Sequence, residues 1–549
     1  MSHYQELIFD PQVIRRFDVS GPRYTSYPTA DRFVEAFDAS AYRSWLGKRT
    51  IGGIGRALSL YFHIPFCNTI CYYCACNKII TKDHGRSAKY LKYLGKELAL
   101  QSEALDGPHD VVQLHWGGGT PTFLSHEEMR QLMDSIREHF RLQPNGEYSI
   151  EVDPRKVDEA TVALLGELGF NRMSLGVQDF DLAVQEAVNR VQSIEETESV
   201  LRAARANGFK SISVDLIYGL PKQNVISFNR TLEEVIRLSP DRLSIYNYAH
   251  LPSLFKPQRR IAEAELPTAD AKLQILQLAI RRLTEAGYVY IGMDHFAKPD
   301  DELAVAQRQG RLHRNFQGYS THAECDMMSF GISSISMVGP SYCQNVKTLD
   351  DYYDRLDNGV LPVMRGIELT PDDLLRRSII QALMCHFELS IESVEIAHLI
   401  DFKSYFAEEL AALRCRGRVD RVEPEPGGAH SKSTAHAQCS GDDPATVVVD
   451  QADVPLRRAV RGDPDQSPHL SEAGSHLVGA LVEDEADAGK QHPLEPALEH
   501  RRESAPPRRV HEHDRLGALD ERCVLGNHRV QDRRVAVVGL ALVRCHRDP

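Results

Sequence analysis

Four of the chain's eleven cysteines fall within ten residues, Cys67-Asn-Thr-Ile-Cys71-Tyr-Tyr-Cys74-Ala-Cys76, in the spacing C-x3-C-x2-C-x-C. Thiolates this close can converge on one small object. A disulfide framework fits poorly, because nothing else marks the chain as secreted. Structural zinc usually takes two separated pairs or a Cys/His knuckle, so a single tight turn suits it less well. An iron–sulfur cluster fits best, since its irons accept thiolates from one loop. Chance crowding is the bland alternative.

The elements that must position this loop are legible on either side of it. The loop follows a short apolar run, 58–64, that alternates like a strand and stops at Pro65. Five more strand-like runs read at 111–116, 148–152, 172–177, 212–217 and 242–248. Helical patterns separate them, at 87–105, 127–140, 157–168, 194–206 and 228–238. Repeated βα units with buried strands predict a parallel sheet closed or partly closed into a barrel, with the chemistry at the strand ends. Those ends are polar or glycine-rich. The first enters the cysteine loop, and the second ends in GGGTP (117–121), where glycines admit a close approach to the backbone. The third ends in Glu151 and Asp153, the fourth in Gln178 and Asp179, and the fifth carries Asp215. The sixth ends in Asn247-Tyr-Ala-His250. Each signal alone is weak, because Gly and Asp are ordinary turn residues and an acid such as Asp215 also caps helices. Together they outline one site.

Composition narrows the function classes. A length of 549 residues allows more than one domain, with a sizeable core in the first. The net charge of −13 argues against general nucleic-acid binding, which needs a basic face. The first residues lack a basic segment followed by an apolar one, and no apolar run approaches the roughly 18 residues of a membrane span. A cytosolic protein with reduced thiols is expected. Before the barrel, GPRYTSYPTA (21–30) reads as a loop or surface arm with polar and stacking capacity. After it, 291–301 and 312–319 read as a long ordered loop of the kind that usually has a function. Small residues at 330–336 suit packing beside a cofactor, and helical patterns return from 370 to 413.

The x3/x2 cysteine spacing resembles the cluster loop of radical S-adenosylmethionine (SAM) enzymes, with Cys67, Cys71 and Cys74 matching the three ligands. Further stretches are similar to one family of that group, the oxygen-independent coproporphyrinogen III oxidases (dehydrogenases) of heme biosynthesis. They are GPRYTSYPTA (21–30), YFHIPFCNTICYYCACNK (61–78), QLHWGGGTPT (113–122), IEVDPR (150–155), SLGVQDF (174–180), DLIYGLPKQ (215–223), NYAHLP (247–252), GMDHFA (292–297) and HRNFQGY (313–319). The likeness covers 12 to about 413, with Ala75 standing where the family usually has Gly.

The resemblance implies an α/β fold, a partial (β/α)6 TIM-like barrel with an N-terminal arm and a C-terminal α-helical domain. The expected division is an arm over 1–50, the barrel over 51–365, the start of the helical domain over 366–413 and an atypical tail over 414–549. The implied cofactors are a 4Fe-4S cluster and two SAM molecules. Tyr61, Gly118, Glu151 and Ile335 match positions at the cluster-bound SAM. Gly119, Thr120, Gln178, Arg190, Asp215 and Ala249 match positions around the second. Taken without the family, Arg190 reads as a helix-surface arginine. Cys76 matches a fourth cysteine that is not a ligand, and no catalytic side chain is assigned.

The implied reaction is the anaerobic oxidative decarboxylation of two propionate side chains of coproporphyrinogen III to vinyl groups, giving protoporphyrinogen IX. A radical cut from SAM removes hydrogen from each propionate's β-carbon. The implied partners are that substrate, a low-potential electron donor of flavodoxin or ferredoxin type and an unidentified acceptor; a monomer is expected, with no nucleic-acid or membrane partner. Arg23 is a candidate partner for a substrate carboxylate. The alternative is a related heme chaperone without decarboxylase activity. Such proteins typically have Phe where this chain has Cys76, and lack the GPRYTSYPTA arm.

The tail has a different alphabet. From Arg414 to Pro549 there is no Phe, Tyr, Trp, Ile or Met, yet ten of the 23 histidines fall there. Such a segment lacks the material for a packed core and reads as disordered, or as the product of a frameshift near Leu413. Irregularly spaced histidines could also bind metal. The tail is expected to carry no catalytic group.

Overall fold

The structure is a computed structural model that describes Ile14, residues 26–50 and 55–411, and two short strands, Thr446–Val448 and Arg544–Cys545. Apart from those strands the atypical tail lies outside the described residues, as do Arg23 and the first part of the arm.

Six βα units build the core. The strands are β1 (Leu58–Ile64), β2 (Asp110–Gly118), β3 (Arg141–Val152), β4 (Arg172–Gln178), β5 (Ser211–Tyr218) and β6 (Arg242–Asn247). The helices that follow them are α1 (Gly85–Ala104), α2 (His126–His139), α3 (Glu159–Glu167), α4 (Ile194–Ala206), α5 (Val225–Leu238) and α6 (Ala269–Glu285). Local chemistry starts these helices where the pattern predicts. Ser125 with Glu128, and Ser193 with Glu196, form reciprocal capping boxes at the starts of α2 and α4.

Neighbouring strands β1 to β6 are parallel throughout. The sheet extends beyond them through β7 (Val289–Gly292), β8 (His295–Ala297), β11 (Asp326–Phe330), β12 (Ile335–Val338), β13 (Ser341–Asn345) and β14 (Val363–Glu368). Its order is β14-β13-β12-β11-β1-β2-β3-β4-β5-β6-β8-β7. Strand β11 joins β1 in parallel, whereas β12 to β14 and β7 to β8 are antiparallel additions. This is the partial barrel expected, flanked by two antiparallel extensions that the sequence did not announce.

The segment from 291 to 319 is therefore not a loop. It holds parts of β7 and all of β8, a helix at Glu302–Arg308, and a hairpin of β9 (His313–Asn315) and β10 (Gly318–Ser320). After the sheet, α7 (Pro371–His386) opens the helical segment, followed by Ile391–His398 and Phe402–Tyr405.

The two faces of β1 divide the labour. Leu58, Leu60, Phe62 and Ile64 are fully buried and pack outward among the helices. Burial at each such position contributes about 1.5–3 kcal/mol. The alternate residues Ser59, Tyr61 and His63 take the other side, and the register sets Tyr61 beside His115, then His115 beside Ser149. Glu151 lies beside Ser174, and Asp215 beside Ser244. The interior of the barrel is thus a polar lumen with an apolar shell around it.

One buried acid ties the shell together. The Glu97 carboxylate of α1 accepts hydrogen bonds from the Tyr352 hydroxyl (2.6 Å), the Gly331 N–H (2.7 Å), the Asn345 amide (2.7 Å) and the Gln101 amide (2.9 Å). Burial pushes it up to about 7, against the pull of those donors.

Candidate active site

The cysteine loop sits directly after β1. Two-residue strands, Phe66–Cys67 and Ile79–Ile80, pair in parallel and close the loop at its base. None of the four cysteines is in a disulfide, and each residue is half-buried. Cys67 Sγ lies 3.4 Å from the Thr120 hydroxyl, which joins the loop to the end of β2. Cys71 faces two guanidinium groups, Arg190 at 3.7 Å and Arg155 at 4.0 Å. Lys78 Nζ donates to the carbonyls of Cys74 (2.9 Å) and Cys76 (3.4 Å). A hydrogen bond from Cys76 holds the Cys74 thiol down at about 5, while burial lifts Cys67 to about 12. The same bond, with the charge on Cys74, raises Cys76.

Among the described residues no three Cys, His, Asp or Glu side chains stand close enough to share a single metal ion. The loop suits a cluster, whose thiolates attach to separate irons, and Arg155, Arg190 and Lys78 beside it supply positive charge for an anionic group.

Beneath the loop, the end of β3 presents Glu151 to the lumen. Its Oε2 accepts the Gly118 N–H at 3.0 Å, and its Oε1 lies 3.4 Å from His115 Nε2. Tyr61 stacks on His115, with ring centroids 5.7 Å apart, and its hydroxyl lies 3.1 Å from His63 Nδ1. His63 Nε2 reaches the Asn77 carbonyl at 2.9 Å, and burial lowers its pKa, so a neutral ring bridges β1 to the base of the cysteine loop.

The glycines at the end of β2 also make room for the protein's own side chains and backbone. A side chain at Gly118, whose φ is +115°, would meet the His63 ring at 2.7 Å. One at Gly119 would meet the Pro65 backbone at 2.7 Å. These close approaches bring Glu151 and the loop base together.

A second group forms on β4 and β5. Asp215 accepts from the Ser174 hydroxyl at 2.7 Å, and burial pushes its carboxyl up to about 6. Gln178 has a left-handed backbone (φ 70°) beside a register shift in the β4–β5 pairing. Arg190, buried, bonds the Gly176 carbonyl and lies 3.4 Å from Asp153. Asp153 also pairs with Arg155 at 2.7 Å; burial raises its carboxyl, but the two arginines hold it below the usual range. Arg190 is therefore no surface residue. Its Nε has no hydrogen-bond partner, and neither has the buried Asn247 Oδ1 at the end of β6. Such orphaned polar atoms at a strand-end site suit a bound polar ligand.

The structure thus gathers Cys67 with Thr120, Glu151 with Gly118 and Tyr61, and Arg190 with Gly176 and Cys71. Ala249 is exposed on the turn after β6, and Ile335 opens β12, where its carbonyl accepts from Ser329, the register neighbour of Tyr61. Sequence reasoning passed over His63, His115, Ser174, Arg155 and Tyr246. For all but Arg155, which sits in the turn after β3, the signal was the recurrence of polar residues at every second position of otherwise apolar strands.

The lower lumen is plugged. Glu147 is held near 2 by His322 and Thr321 despite burial, and Arg172 and Arg242 pair with Glu302 and Asp301. No described helix is long and apolar enough to cross a membrane.

Comparison with known proteins agrees with this architecture. The model of the radical SAM superfamily matches residues 61–235. An oxygen-independent coproporphyrinogen III oxidase of Pseudomonas aeruginosa is 55% identical over 402 residues, covering 73% of this chain and 87% of the relative. The enzyme of the same name from Escherichia coli is 48% identical over 424 residues, covering 77% and 92%. The solved structure of coproporphyrinogen III oxidase from Escherichia coli, described as a radical SAM enzyme, superposes with a TM-score of 0.72 at 46% identity, covering 77% of this chain and 94% of that one. At these identities and over this coverage, the chain belongs to the oxygen-independent coproporphyrinogen III oxidase family of the radical SAM superfamily.

Proposed function

We propose that this protein converts two propionate side chains of coproporphyrinogen III to vinyl groups, releasing carbon dioxide and giving protoporphyrinogen IX. The observation that carries the reading is the join between the thiol loop and a polar lumen, made by Thr120 on Cys67 and by Arg190 on Cys71. In this reading Cys67, Cys71 and Cys74 hold a 4Fe-4S cluster. Tyr61, Gly118, Glu151 and Ile335 flank one SAM, and Gly119, Thr120, Gln178, Arg190, Asp215 and Ala249 flank a second. When bound, cluster and SAM supply one-electron cleavage and removal of hydrogen from the propionate β-carbon.

The chain's own residues bind and orient. Glu151 is fixed by the Gly118 N–H and keeps acceptor capacity for an ammonium or a ribose hydroxyl. Asp215 is ionised above about pH 6 and serves as an acceptor on the opposite wall. Arg190 is held by Asp153 and Gly176, which leaves its Nε as the donor it can offer a bound ligand. A low-potential donor of flavodoxin or ferredoxin type and a separate electron acceptor complete the reaction, in a cytoplasmic monomer.

The test is anaerobic reconstitution of iron and sulfide, followed by incubation with coproporphyrinogen III, SAM and a low-potential reductant. Protoporphyrinogen IX with methionine and 5′-deoxyadenosine is expected. Heme binding without decarboxylation would overturn the reading in favour of a chaperone.

A further inference from the structure

The structure points to a carboxylate-binding subsite for the substrate beside the lumen, and this inference rests on the reaction proposed above. Between the β9–β10 hairpin, the β12–β13 turn and α7 lies a small recess, partly open to solvent. Arg314, on β9, lines it and is only 7% exposed. Its Nε and Nη1 have no hydrogen-bond partner, and it forms no ion pair with a described residue. A buried guanidinium with unmet donors is costly unless an acceptor completes it.

The rest of the recess prepares that acceptor's place. The Arg314 guanidinium lies over the Tyr319 ring, 4.5 Å from its centroid, which fixes its plane. Gln381 of α7 clamps its backbone, accepting the Arg314 N–H at 3.0 Å and donating to its carbonyl at 2.7 Å. One helical turn earlier, Arg377 lines the same recess and donates to the Tyr342 hydroxyl at 3.3 Å. It too has no carboxylate partner among the described residues. The acid on the recess wall, Asp326, is already bound by Arg49 (3.1 Å) and by the Gly339 N–H (3.0 Å). The recess therefore holds uncompensated positive charge and directed donors. That is the chemistry of an anion site, and Arg forks favour a carboxylate.

Its position ties it to the substrate. The Tyr319 ring packs edge-on against His295, and His295 against Tyr246, which lies within the electrostatic reach of both Asp215 and Arg314. A tetrapyrrole with one propionate at the strand-end site would extend further carboxylate arms across this wall. We assign Arg314 and Arg377 as partners of a carboxylate arm distant from the reacting one.

The experiment compares wild type, Arg314→Gln and Arg377→Gln, all anaerobically reconstituted. Binding of coproporphyrin III and of its tetramethyl ester is read by fluorescence, alongside turnover. Wild-type turnover tests the reaction itself, so its failure is distinct from failure of the subsite. In both variants the preference for the tetra-acid over the ester is expected to fall by tenfold or more, and KM to rise by a similar factor. Cluster content and SAM affinity should stay at wild-type levels. Wild-type discrimination in Arg377→Gln, which is half-buried and tolerant of change, would overturn the proposal even if Arg314→Gln fails to fold. So would a site filled by a free anion, seen as acetate or phosphate stabilising wild type but not the variants while porphyrin affinity is unchanged.

Discussion

The barrel and the helical segment after it obey the same physics with different success. In the barrel, one continuous core runs from the strands into every surrounding helix, and α4 and α6 are followed by Gly208 and Gly287 in left-handed turns with open space around them. The helical segment rests on seven buried residues, Leu375, Ile379, Leu383, Leu389, Val394, Phe402 and Phe406. Its helices at 371–386 and 391–398 end on left-handed Phe387 and Leu399, side chains for which that conformation costs energy. Ile396 is 69% exposed and Leu399 91%. The lesson is that the barrel gathers its apolar faces into one core, while the helical segment leaves an apolar flank exposed. Yet the weaker region supplies Arg377 and Gln381 to the barrel's recess, so the two are coupled in function though unequal in stability.

The largest expected effect lies in the strong region's one chemical loop. Cys71→Ser should abolish the visible absorbance of the reconstituted cluster and all turnover while leaving the thermal transition close to wild type. A cluster retained at full iron content would break the assignment. Glu97→Ala should be the most destabilising single change in the shell, by about 3–5 kcal/mol, because four donors lose a buried acceptor at once. Urea unfolding would measure it, and a loss under 1 kcal/mol would show that water replaces the carboxylate.

In the weak region, Phe402→Ala removes a buried ring that packs at a tilt against Phe406, centroids 4.8 Å apart. Its cost should be about 2–3 kcal/mol, at or below the usual range for a core Phe, since this core is shallow. If the coupling holds, the variant keeps its cluster but shows a raised KM for the porphyrinogen. Unchanged KM would separate the two regions.

A subtler contrast concerns pH. Burial lifts Asp215 from its ordinary 3.8 to about 6, so the folded state holds that proton more tightly than the unfolded one. Between about pH 4 and pH 6 the folded state therefore binds more protons, and its stability falls as pH rises through that window. Asp215→Asn should remove this contribution. Identical pH profiles of the melting temperature for variant and wild type would show the carboxyl to be better solvated.

How much of this was legible follows the same division. The six core strands and their helices announce themselves through long apolar runs and caps such as Ser193 with Glu196, which need only local sequence. The acids and glycines at the strand ends stood out, since neither has an apolar role there, and the structure brings Gly118 and Glu151 together beside the lumen. The antiparallel strands from 289 to 345 were not legible, because they are three to five residues long and carry Ser, Asn and His. The crowding at Gly118 comes from a ring on a different strand, and Arg190 meets a loop 119 residues away in sequence. Arg314 is the extreme case. Its residue type says nothing until three separate elements are seen to enclose it without an acceptor.

The smallest effect is also the sharpest check on the comparison. Leu399 caps its helix with φ 52° and is 91% exposed, so its side chain packs little and its backbone is strained. Leu399→Gly should relieve the strain of the Cβ in the left-handed region, worth about 1 kcal/mol, offset in part by the greater freedom of glycine in the unfolded chain. A net gain of a few tenths of a kcal/mol to 1 kcal/mol in urea unfolding is expected, with activity unchanged. A loss of stability would mean that the leucine is covered in solution by something that packs on this flank. The helical segment would then be less different from the barrel than its exposed surface suggests.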